Sequence, residues 1–88
     1  MSQIAAAVGT VRTDPIVEMI DRASRANNAP AHGVAITRHW NGQDQVEDIV
    51  IWAVHKGQMI EHRLAADVTD FERLSAHVAG FIEQLALR

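Results

Sequence analysis

The chain has 88 residues, with 48% hydrophobic and 22% charged side chains and a formal net charge of −3. Its length fits one domain, 1–88, with a thin core that leaves apolar surface for a partner subunit to cover. Cysteine is absent, which excludes disulfides, thiol nucleophiles and thiolate metal sites and fits a reducing cytoplasm.

The basic residues are scattered among acids and form no stripe, so nucleic-acid binding is not expected. Residues 1–12 read as an arm, a helical turn or a short strand. The apolar run after Met1-Ser2-Gln3 is too short for a membrane span and lacks the basic start of a signal peptide.

Residues 14–27 read as a helix. Asp14 suits the N-cap and Pro15 the first helical position, where a missing N–H costs nothing. Ile16, Met19, Ile20 and Ala23 recur at i, i+3, i+4 and i+7 and make one apolar stripe. Glu18–Arg22 and Asp21–Arg25 are acid-before-base pairs on the wet side, worth roughly 0.3 kcal/mol each. Pro30 disfavours helix at Ala29 and is expected to end the element.

Three strands follow: Gly33 to Trp40, Val46 to Val54 and Gln58 to Ala65, the first two linked by the turn-rich Asn41-Gly42-Gln43-Asp44. Ile49 to Trp52 is apolar on both sides, as in a central strand covered on both faces. His55-Lys56-Gly57 is expected to form a three-residue hairpin loop with Gly57 as a left-handed bulge. That loop pairs Val54 with Gln58, Trp52 with Ile60, Val50 with His62 and Asp48 with Leu64.

The last element is a helix opened by the capping box Thr69-Asp70-Phe71-Glu72. Phe71, Leu74, Val78, Ile82 and Leu85 lie on one face. Gly80 inside it costs about 1 kcal/mol relative to alanine. The order α-β-β-β-α defines an α+β chain with an antiparallel sheet of three or more strands packed with helices.

Alternation in the expected register puts Asp48, Val50, Trp52 and Val54 on one face with Ile60, His62 and Leu64. Apolar walls with a few placed polar groups suit a small-molecule pocket. The candidate ligand-binding residues are Trp52, Val50, Ile60, Leu64 and Trp40. The candidate catalytic residues are His62, Asp67 and Asp48: an imidazole titrating near neutrality, with carboxylates to orient it or act beside it. Each has a plainer reading. His62 suits a sheet edge or dimer interface, Asp67 the approach to a helix start, and the two tryptophans a core or interface. His32, His55 and His77 read as surface or loop residues. No HxxxH or HExxH spacing supports a metal site from His39, His62 and Asp48, and no cofactor is expected.

The run Gly57-Gln58-Met59-Ile60-Glu61-His62, with Asp67 five residues on and a helix after it, resembles the C-terminal end of SnoaL-like polyketide cyclases. More broadly it is similar to the nuclear transport factor 2-like superfamily, which includes ketosteroid isomerases. The likeness spans roughly residues 32–75. Arg63 stands where that family commonly has tryptophan, and its N-terminal helices and first strand have no counterpart here, so the resemblance is to a shortened form.

The resemblance implies a curved, cystatin-like sheet with an apolar concave pocket, an acid–base aspartate at Asp67, and homodimers. The isomerase constellation of an aspartate base with a tyrosine and a protonated aspartate is excluded, because the chain has no tyrosine. The function expected is binding of a small hydrophobic or polycyclic molecule, with or without acid–base chemistry. A non-catalytic dimerisation or protein-interaction module is the alternative.

Overall fold

The structure is a computed structural model that describes residues 14–43, 46–64 and 70–88. Helix α1 (Pro15–Ala26) leads through a 3₁₀ turn (Ala29–His32) into strands β1 (Val34–Asn41), β2 (Val46–His55) and β3 (Gln58–Leu64). Helix α2 (Phe71–Ala86) closes the order α-β-β-β-α. The sheet is antiparallel, with β2 between β1 and β3.

Helix α1 forms where its caps place it. The Asp14 carboxylate accepts from the Ile16 amide at 2.8 Å, and Pro15 occupies the first turn. It ends at Ala26 with Asn27 as its C-cap, within a residue of the expected 14–27, but the residue that breaks it is not Pro30. Asn28 takes a left-handed conformation (φ 51°) and breaks the helix before Pro30, which sits inside the following 3₁₀ turn. The Asn27 side chain donates to the Ala23 carbonyl at 2.9 Å and to Ser75 Oγ at 3.0 Å, fastening this end of α1 to α2.

Of the two expected ion pairs on α1, Asp21–Arg25 forms. Arg22 instead lays its guanidinium 4.4 Å from the Phe71 ring centroid, a cation–π contact between the helices. Helix α2 is capped by Asp70, whose carboxylate accepts from the Glu72 amide at 2.9 Å. The expected cap Thr69 lies outside the described residues.

Both helices pack on one face of the sheet. Met19 and Ala23 of α1 meet Leu74, Val78 and Phe81 of α2 above Val34, Ile49, Ile51, Ala53 and Leu64 of the strands. Ile51 and Ile49 of the central strand are fully buried, each worth about 1.5–3 kcal/mol relative to exposure. Phe81, which the stripe of α2 did not include, is buried in this core.

The β2–β3 register departs from the sequence reading by one residue. His55 pairs with Gln58, Ala53 with Ile60, Ile51 with His62 and Ile49 with Leu64. Lys56 (φ 53°) and Gly57 (φ 79°) are both left-handed, the signature of a two-residue type I′ turn whose twist matches the strands it joins. The loop is therefore Lys56-Gly57 alone, and β2 continues through His55.

The physical reason is segregation. This register sets Ile60 and Leu64 beside Ile49, Ile51 and Ala53 on the helix side, and sets Glu61 and Arg63 beside Asp48 on the other. The three-residue loop would have put Glu61 and Arg63 among the isoleucines.

Candidate functional site

The slip in register divides the predicted site in two. Ile60, His62 and Leu64 face the helices, whereas Asp48, Val50 and Trp52 face the opposite side of the sheet. The His62 imidazole and the Trp52 indole thus emerge on opposite faces, and no His62–Asp48 dyad exists. Trp40 lies in register with Glu47 on the helix side, but beyond the helices and largely exposed. Asp67 lies outside the described residues.

The open face carries a polar cluster. Asp48, only 6% exposed, accepts from Arg63 Nη1 and from Asn41 Nδ2, both at 3.3 Å. Glu61 stands 3.7 Å from the other Arg63 nitrogen. Val50 is buried beside this cluster, between Thr37 and Arg63 in register, so the expectation of cover on both faces of β2 holds at its centre. It fails toward the turn, where Val54 and Met59 are exposed.

On the helix side, α2 and β3 diverge and leave an open groove of about 390 Å³. Ile60 supplies its sheet wall, and Phe81 and Leu85 its helix wall. Gly80 also lines the groove, and a Cβ added there would meet nothing within 4 Å, so the missing side chain leaves the groove wider. The imidazoles of His62 and His77 stack at the mouth, with ring centroids 5.3 Å apart and planes inclined by 28°. Glu83, Gln84 and Arg88 line its rim.

The sequence reading sets His77 among surface or loop residues, whereas the structure stacks it on His62. The signal that places it is helical spacing: His77, Phe81 and Gln84 recur at i, i+4 and i+7, an edge beside the apolar stripe of α2. The same spacing selects Gly80 as the gap in that edge.

The groove gathers apolar walls, two imidazoles and a guanidinium. Such a set holds an apolar body and addresses an acceptor or anionic group at its end. Among the described residues, no three His, Asp or Glu side chains converge as a metal ion would require. No helix among them is long and apolar enough to cross a membrane.

The remaining charged cluster is structural. Arg38 of β1 binds Asp14 at 2.6 Å and pairs with Glu47 across the strands. The Arg38 hydrogen bond, and secondly that from the Ile16 amide, hold the Asp14 carboxyl below its usual range. This arrangement fastens the start of α1 to the sheet.

No family model matches the chain, and no curated protein or solved structure matches it.

Proposed function

We propose that the chain binds a small apolar or polycyclic molecule in the groove between β3 and α2, with its polar end directed at His62 and His77. The observation that carries this reading is the groove itself. Its volume of about 390 Å³ falls within the span of small-molecule sites, and two stacked imidazoles stand at the mouth of an apolar trough. The likeness of Gly57 to His62 to the closing hairpin of nuclear transport factor 2-like proteins points to the same ligand class. Isomerase- or cyclase-type proton transfer would rest on His62, with His77 as its neighbour.

Gly80 supplies the test. Gly80→Leu fills the groove from the helix side without meeting the core, and improves helix propensity. 8-Anilinonaphthalene-1-sulfonate, an apolar polycycle with one anionic group, matches the site. It is expected to bind the wild-type chain, to shift the amide resonances around His62, His77 and Phe81, and to be lost from Gly80→Leu while that variant melts at the same or a higher temperature. Equal binding by both proteins would refute the groove as the site. A dose giving a hundredfold excess over the dissociation constant should add about 2.7 kcal/mol of stability.

A second reading, association without catalysis, is favoured by the open sheet face. No described helix lies across it, and it exposes Val54 and Met59, 64% and 61% accessible, beside the half-buried Trp52.

A further inference from the structure

The two edges of the sheet are built differently. In a two-residue hairpin the residues flanking the turn form a hydrogen-bonded pair, and bonded and unbonded pairs then alternate. His55–Gln58, Ala53–Ile60, Ile51–His62 and Ile49–Leu64 are therefore the bonded pairs of β2 and β3. The N–H and C=O groups of Met59, Glu61 and Arg63 point away from β2, off the edge of the sheet. Among the described residues no backbone partner meets them.

The opposite edge, β1, carries an inward-pointing charge at its middle, Arg38, tied to Asp14 and Glu47. Inward charges are a device that discourages edge pairing. β3 has neither such a charge nor a proline.

We infer that β3 pairs antiparallel with β3 of a second copy, centred on His62, to give a continuous six-stranded sheet. Charge complementarity selects this register. Outward-pointing residues must pair with outward-pointing residues, and the alignments that engage at least two of Met59, Glu61 and Arg63 with their counterparts are centred on Ile60, Glu61 or His62. Centring on Ile60 sets Met59 against Glu61, and centring on Glu61 sets two carboxylates face to face. Centring on His62 sets Glu61 against Arg63 twice, once on each side of the axis. On the helix side the same alignment opposes Ile60 to Leu64, so apolar residues also meet apolar ones.

Face-to-face packing of the open sheet surfaces would instead desolvate the cluster of Asp48, Arg63 and Glu61. Edge pairing leaves that cluster in water. The two-fold axis runs perpendicular to the sheet, so both grooves open on the same side and meet at the axis, where the two His62 rings are neighbours. This inference does not depend on a ligand: association is read by mass, and groove binding by the probe.

The chain lacks cysteine, which makes engineered crosslinks specific. Opposed residues in an unbonded antiparallel pair have Cα atoms about 4.5 Å apart, within disulfide range. The full chain is expected to sediment at twice 9.7 kDa. Under mild oxidation His62→Cys should become a covalent dimer faster than Ile60→Cys, Glu61→Cys or Val54→Cys. A monomer at high concentration overturns the proposal, as does fastest crosslinking at any of the other three positions.

Glu61→Arg and Arg63→Glu should each weaken self-association roughly tenfold or more, because two attractive pairs become repulsive. Mixing the two variants should restore dimers, since each supplies the charge the other lacks. Because Arg63→Glu also places an acid beside Asp48, Glu61→Pro is the second probe. Its lost N–H points off the edge, where proline is tolerated within the monomer. It should keep the helical circular dichroism and lose the dimer. A folded Glu61→Pro dimer would also overturn the proposal.

Discussion

The two faces of one three-stranded sheet divide the work in this chain. The helix-side face is dry where α1 and α2 press on Ile49, Ile51, Ala53 and Leu64, and opens into a groove where α2 leaves β3. The opposite face is held by a small polar cluster around Asp48 and carries no described helix. Strand residues one position apart therefore differ in what they are for. The comparison shows that a single turn, Lys56-Gly57, assigns every β3 side chain to one task or the other.

The largest contrast lies along β2. Ile51 is fully buried on the helix side, and Val54 is 64% exposed on the other. Ile51→Ala should cost about 2–5 kcal/mol, the usual range for a large-to-small change in a core. Val54→Ala should stay within about 0.5 kcal/mol. Urea titration of both variants measures the difference, and equal costs would mean that the open face is as tightly packed as the core.

The open face is expected to resist substitution only at its centre. Asp48→Ala removes a nearly buried carboxylate and strips Arg63 and Asn41 of an acceptor. A loss of about 1–3 kcal/mol is expected, within the range for leaving buried polar groups unsatisfied. Asp48→Asn, which keeps an acceptor and the shape, should recover part of it. If Asp48→Ala melts like the wild type, the cluster contributes nothing and the open face has no anchor.

Much of this was legible in the residues. The Asp14-Pro15 start and the Ile16-Met19-Ile20-Ala23 stripe fix α1, and Leu74 and Val78 of the expected stripe are the most buried residues of α2. The element order and the antiparallel α+β class follow from the same patterns. The pairing of β2 with β3 was less legible, because His55-Lys56-Gly57 supports a two- or a three-residue loop. Local turn chemistry does not separate these, since Lys56 must accept a left-handed conformation that lysine disfavours. What decides is non-local: only one register keeps Glu61 and Arg63 away from Ile49 and Ile51. The groove was illegible for a related reason. It depends on where α2 leaves β3, a property of packing between elements distant in sequence, although His77, Gly80 and Phe81 already shared one edge of α2.

The turn offers a smaller and sharper test of what sets the two faces. Lys56 occupies the first central position of the type I′ turn with φ 53°, where asparagine is favoured. Lys56→Asn should raise stability by about 0.5–1 kcal/mol while leaving the cross-strand contacts of Ile51 with His62 unchanged. In a three-residue loop the same position would be right-handed and the substitution nearly neutral. Chemical denaturation gives the sign, and amide-to-amide nuclear Overhauser effects across β2 and β3 give the register.

The smallest effect is a change in pH response at the tie between α1 and the sheet. The Arg38 side chain, followed by the Ile16 amide, lowers the folded-state pKa of Asp14 below its ordinary value. A carboxyl lowered in this way stabilises the fold above its unfolded pKa, and that contribution is lost as pH falls through the folded one. The melting temperature of the wild-type chain should therefore decline between about pH 5 and pH 3. Asp14→Asn retains a side-chain oxygen to cap α1 but has no charge for Arg38, so its melting temperature should be lower near neutrality and fall less over that interval. If Asp14→Asn and the wild type decline in parallel, Asp14 carries none of the acid sensitivity. The ion pair would then position α1 without coupling its attachment to pH.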